Sequence, residues 1–121
     1  MQKLDPAAAA AALDEFWSQQ VIGEANGSLF KVAKGTGSIN WHAHDDQDEV
    51  FLVLAGEVTM QLRDGDVELS PGEMFIVPRG VEHCLRTDGE VHLLLVGTAI
   101  TSNAAGGKPD WSHRTPPGAR A

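Results

Sequence analysis

The segment Trp41-His42-Ala43-His44 sets two imidazoles one residue apart. On an extended strand side chains alternate between faces, so both histidines project to one side while Trp41 and Ala43 project to the other. That alternation aims two nitrogen ligands at one point. The polar stretch Asp45-Asp46-Gln47-Asp48 follows and is long enough to turn the chain, so that Glu49 brings a carboxylate back from the next strand. A third imidazole, His83, follows the turn Pro78-Arg79-Gly80. Three imidazoles and one carboxylate form a mixed nitrogen and oxygen set suited to one divalent transition metal, whether Zn, Fe, Mn, Ni or Co. An octahedral ion held this way keeps two positions open for catalysis or ligand binding. His-x-His alone is a weak signal, because paired histidines on a half-exposed strand are commonly polar surface; the wider pattern gives it weight.

By strand parity, Phe51 and Val53 share a face with Glu49, and Leu85 shares one with His83. With Phe75 and Val77 they are the expected lining of a mostly apolar cavity, which suits a small, partly apolar organic ligand whose oxygens reach the metal. An ordinary barrel core has the same pattern. Asp45, Asp46 and Asp48 read as a solvated loop, His92 and His113 stay outside the site, and Cys84, next to His83, is expected to be a packed thiol on the opposite face.

The elements that must position these groups are a helix, a run of short strands and a tail. Asp5 is placed to cap a helix with Pro6 at its first position, extending to Ser18 and presenting Leu13, Phe16 and Trp17 on its apolar face. From Val21 the period changes to two. Asn26-Gly27 and Asp64-Gly65 mark hairpins, and further strands are expected at 38–44, 49–54, 74–77, 83–87 and 91–96. The stretch after Ile100, rich in glycine and proline, reads as a surface tail anchored by Trp111. The expected division is an N-terminal helical segment at 1–20, an all-β barrel at 21–100 and a loose tail at 101–121.

Composition narrows the function. A chain of 121 residues makes one domain, and 17 acidic against 9 basic residues give a net charge of -8, the wrong sign for nucleic acid or an anionic membrane. The single cysteine excludes an internal disulfide or a zinc site of several thiolates, and the absence of tyrosine removes the phenol as an acid or radical site. No apolar run approaches the roughly 18 residues of a membrane span, so a cytoplasmic protein is expected.

At these residues the sequence resembles the cupin superfamily. The first cupin motif, His-x-His, four residues, Glu, six residues, Gly, is met by His42, His44, Glu49 and Gly56. The second, Gly, five residues, Pro-x-Gly, two residues, His, is met by Gly72, Pro78, Gly80 and His83. Thr36 and Thr87 depart from the usual glycine and asparagine, and neither position carries a metal ligand in the family. The resemblance covers about residues 5 to 98 and is similar to small single-domain bacterial cupins of the mannose-6-phosphate isomerase-like kind. It implies a double-stranded β-helix, a jelly-roll-like conical barrel with a short N-terminal helix, in which His42, His44, Glu49 and His83 converge on a metal. It also implies a homodimer, in keeping with Val50, Leu52 and Leu54 facing outward and needing cover. Two functions remain open: a metal-dependent enzyme of dioxygenase or isomerase type acting on a small oxygenated compound, and a non-catalytic module that binds or senses a metal and a metabolite.

Overall fold

The computed structural model describes residues 1–98 and the backbone of residues 113 and 114. Helix α1 (Pro6–Ala11) is followed by strands β1 (Glu15–Phe16), β2 (Gln20–Ala25), β3 (Ser28–Ser38), β4 (Glu49–Ala55), β5 (Val58–Leu62), β6 (Gly65–Leu69), β7 (Met74–Val77), β8 (His83–Gly97) and β9 (His113–Arg114). The result is the mostly β, double-stranded β-helix architecture expected from the sequence.

Strand β8 organises the barrel. One edge pairs antiparallel with β3 over almost its whole length, from Leu29↔Gly97 to Ser38↔Arg86. Its other edge is shared, the N-terminal end pairing with β5 and the C-terminal end with β4. A strand divided this way must pass from one sheet to the other, which closes the barrel. The segments expected separately at 83–87 and 91–96 are therefore one 15-residue strand, with the register irregularity opposite Thr36 and Gly37 absorbing Asp88 and Gly89.

The β2–β3 hairpin turns at Asn26-Gly27, whose φ values of 54° and 80° suit the twist of a two-residue loop. In the second hairpin Leu62 pairs with Gly65, so the loop is Arg63-Asp64, one residue earlier than expected. The inward residues Phe51, Val53, Met60, Val77, Leu85, Leu93 and Leu95 form one buried cluster.

Two further expectations are corrected. Asp5 does cap α1, its carboxylate accepting from the Ala8 N–H at 3.1 Å, but the helix ends at Ala11 and not Ser18. Alanines favour helix yet bury little area, whereas Phe16 and Trp17 gain more by leaving it: Phe16 pairs with Lys34 of β3, and both aromatic side chains are buried in the core. The expected strand at 38–44 is instead irregular beyond Ser38, apart from a single bridge between His42 and His83. In the C-terminal region residues 113 and 114 pair with β1, while the rest of the expected tail, including Trp111, lies outside the described residues. Helix α1 packs against β3, β8 and β4, and Val50, Leu52 and Leu54, expected to face outward, are half-buried. No helix among the described residues is long and apolar enough to cross a membrane.

Candidate metal centre

The backbone, not an extended strand, brings the ligands together. His42 and His83 exchange both backbone hydrogen bonds, at 3.0 and 2.9 Å, which docks the 39–48 connection onto the start of β8. The Gly80 N–H donates to the His44 carbonyl at 2.8 Å, joining the Pro78-Arg79-Gly80 turn to the same connection. Asp48 reinforces that joint by accepting from the Arg79 backbone N–H at 2.9 Å, the main cause holding its carboxyl below the usual range. Glu49 opens β4 opposite Val77 and is 2% exposed.

The ligand atoms of His42, His44, Glu49 and His83 lie within 4.8 Å of one another, a grouping able to hold a metal ion. Glu49 Oε1 is 3.5 Å from His83 Nε2 and 3.6 Å from His44 Nε2. The outer nitrogens are occupied: His42 Nδ1 lies 2.8 Å from the Asn40 carbonyl and His83 Nδ1 lies 2.9 Å from the Val81 carbonyl. A carbonyl can only accept, so both rings carry a proton on Nδ1, which leaves Nε2 as the nitrogen for a metal. Such an outer partner is what orients a metal-binding histidine. Burial pushes the pKa values of His42 and His44 below the ordinary 6.5, with neighbouring imidazoles adding to the effect and Glu49 opposing it. Both rings are therefore neutral at pH 7, the state a metal requires.

Beside the cluster is a cavity of about 40 Å³, walled by His42, Glu49, Phe51 and Leu85 together with Trp17, Gln19, Ala33, Ile39, Leu93 and Leu95. Of the expected lining, Phe51 and Leu85 are in this wall, and the Phe51 ring meets His83 edge-on at 6.0 Å. Val53 and Val77 are buried in the core, and Phe75 packs against it, all away from the wall. A larger open depression of about 330 Å³, lined by residues such as Glu57, Glu68, Arg86 and Asp88, contains none of the four clustered side chains. Cys84 is a buried thiol donating to the Ile39 carbonyl at 3.0 Å.

Trp17, expected on a helix face, instead closes one side of the cavity with its ring. Its backbone has φ 59°, its N–H donates to the Lys34 carbonyl at 2.7 Å, and its indole N–H donates to the Thr36 carbonyl at 2.8 Å. The ring lies where a side chain at position 35 would be, so Gly35 is the sequence signal for this close approach. Gln47, within the polar stretch before Glu49, is buried beside Gly97 and accepts from the Thr98 N–H at 2.6 Å.

The pattern of the cupin domain matches residues 28–97, more than half of the chain. The chain belongs to the cupin family. Among curated proteins this cupin is 34% identical over 67 residues to the uncharacterized protein YdbB of Bacillus subtilis (strain 168), a match spanning 54% of the chain and 59% of that relative's length. Among solved structures it is similar to a cupin-2 domain containing protein from Shewanella frigidimarina NCIMB 400, with 34% identity, a TM-score of 0.74 and coverage of 77% of this chain and 91% of that one. It is also similar to protein NMB1881 from Neisseria meningitidis, with 28% identity, a TM-score of 0.73 and coverage of 79% and 98% respectively.

Proposed function

We propose that this cupin binds one divalent transition metal through His42, His44, Glu49 and His83 and acts on a small oxygenated organic compound held in the adjoining cavity. One observation carries the reading: among the described residues His44 Nε2 and His83 Nε2 are buried with no hydrogen-bond partner, and both face Glu49 Oε1. Leaving a buried polar atom unsatisfied costs about 1–3 kcal/mol, and two such atoms converging on a carboxylate fit a shared cation better than chance packing. When bound, the ion supplies Lewis-acid polarisation of a substrate oxygen and, for a redox metal, access to dioxygen chemistry.

The chain's own residues do the remaining work. The Asn40 and Val81 carbonyls hold the Nδ1 protons and so fix two rings. Glu49 contributes negative charge from a site that excludes bulk water, and the apolar wall of Ala33, Ile39, Phe51, Leu85, Leu93 and Leu95 keeps the electrostatics strong by exclusion of water. The reaction class is of dioxygenase or isomerase type. That same wall favours the second reading, a module that binds metal and metabolite without turnover, since its polar groups are confined to Gln19, His42, Glu49 and the Trp17 indole.

Metal analysis of untagged protein tests the centre: wild type should carry stoichiometric metal and His44→Ala none, and equal metal in both would refute the ligand set. Incubation under air with Fe, Mn, Ni and Zn in turn, with a panel of enolizable acids and flavonols, then separates the two readings. Metal-dependent product supports an enzyme, and bound but unchanged compounds support the module.

A further inference from the structure

Arg63 closes a clasp outside the four clustered side chains. It stands in the two-residue loop between β5 and β6, directly after Leu62, which pairs with His83 at the start of β8. Its Nε and Nη2 donate to the two carboxylate oxygens of Glu82 at 3.3 and 3.4 Å, a two-pronged contact. The same guanidinium lies over the Trp41 ring, 3.8 Å from its centre. One side chain thus joins Trp41 to Glu82, and each of these immediately precedes an assigned ligand, His42 or His83.

The two ligands belong to segments of different kinds. His83 opens a 15-residue strand, whereas His42 belongs to an irregular connection tied by backbone bonds at Ile39, His42 and His44. Isolated ties leave such a segment room to rock about them, yet the His42 and His83 rings, 4.3 Å apart between centres, must keep their facing to share an ion. A contact that grips the preceding residue on both segments opposes that rocking. Exposed ion pairs and cation–π contacts are individually weak, so the clasp adds little to the stability of the fold. Its leverage is on ligand geometry.

We propose that Arg63 is a positioning residue for the metal centre, clasping Trp41 and Glu82 so that His42 and His83 keep their facing. This rests on the metal-centre reading above and extends it to a residue outside the ligand set.

The sign of the effect separates this role from that of charge alone. A guanidinium near a bound cation repels it, so removing the charge by itself tightens metal binding, whereas removing a clasp weakens it. Zn(II) affinity from competition titration, the Co(II) d–d spectrum and the urea midpoint are measured on full-length wild type, Arg63→Met and Arg63→Lys. A partner that bonds a ligand directly is worth about 10–100-fold in metal affinity; Arg63 acts one residue further out, so Arg63→Met should bind Zn(II) about three- to tenfold more weakly. Arg63→Lys should lose less, because its ammonium keeps the charge but not the planar fork. Both should show altered Co(II) bands with urea midpoints close to wild type. Combining Trp41→Leu with Arg63→Met should weaken Zn(II) binding no further than the worse single variant, since both open the same clasp. Zn(II) binding by Arg63→Met that is tighter or unchanged, an unaltered Co(II) spectrum, additive losses in the double variant, or failure of both Arg63 variants to fold would overturn the positioning role and leave the ligand set standing. Failure of wild type to take up Zn(II) overturns the metal-centre reading and this inference with it.

Discussion

Gly35→Ala should destabilise the protein through a single contact. A Cβ added at Gly35 would lie within 2.5 Å of Trp17 Cζ2 and Cζ3 and closer still to Cη2, whereas ordinary contacts begin near 3.4 Å. The ring must therefore retreat by about 1 Å to restore van der Waals separation. It has little freedom to do so, since its indole N–H and backbone N–H are both hydrogen-bonded to β3, at 2.8 and 2.7 Å, and the residue is 6% exposed. Overpacking of this kind costs about 1–3 kcal/mol, and loss of one hydrogen bond adds about 0.5–1.5 kcal/mol. The expected total is about 2–4 kcal/mol, equivalent to a fall in Tm of about 6–20 °C for a domain of this size. Urea unfolding of wild type, Gly35→Ala, Trp17→Leu and the double variant supplies the check. Because Trp17→Leu replaces the indole with a smaller side chain and removes the obstruction, the double variant should be less destabilised than the sum of the singles by at least about 1 kcal/mol. A cost for Gly35→Ala below about 0.5 kcal/mol, or strict additivity, would show that the ring does not depend on the missing side chain.

Stability of the metal-free protein should be greatest above pH 6.5 and should fall as pH drops from there toward the folded values of His42 and His44, because burial lowers those values and the unfolded chain binds more protons in that window; urea midpoints at pH 7.5 and 5.5 measure it, and a midpoint that rises on acidification would contradict the burial argument. Zn(II) affinity should likewise weaken only below about pH 6.5, where protons begin to compete for the imidazoles, so a steep loss of affinity between pH 8 and 7 in competition titrations would count against neutral, buried ligands. Phe51→Leu should weaken binding of the enolizable acids of the panel to the metal-loaded protein while sparing metal content; it is preferred to Phe51→Ala, whose cost of about 3–5 kcal/mol would consume much of a typical domain's stability. Met74 and Ile76 are 58% and 52% exposed on β7, beside Val50 and Leu52 of β4, which leads us to expect a homodimer in sedimentation and not the 12.9 kDa monomer.

Much of the site was legible because its geometry is set by short-range spacing. The residues between His44 and Glu49 and between Pro78 and His83 are turns of fixed length, so reading them amounts to reading the distances they span. The lining was harder. Parity along β4 and β7 gives the face a side chain occupies but neither its depth nor its position around the barrel: the cavity wall includes Phe51 and Leu85 with residues of β3 and β8 such as Ala33, Leu93 and Leu95, and does not include Val53, Phe75 or Val77. Trp17 escaped because a local helix signal competed with a tertiary gain, the filling of space above Gly35.

The way the ligands are held also decides what their removal can mean. His42 and His83 are fixed by exchanged backbone bonds, His44 by its carbonyl accepting from Gly80, and Glu49 by its place in the β4–β7 ladder, none of which requires the metal-facing atom. In the metal-free protein, truncating His44 removes a buried nitrogen that has no hydrogen-bond partner among the described residues, so the transfer cost of the lost ring atoms is partly offset by relief of an unsatisfied group. The fold should therefore survive His44→Ala with little change in its urea midpoint, and loss of metal from that variant would report on coordination and not on unfolding. A stability loss of more than about 3 kcal/mol would place the imidazole in the supporting structure and remove that inference.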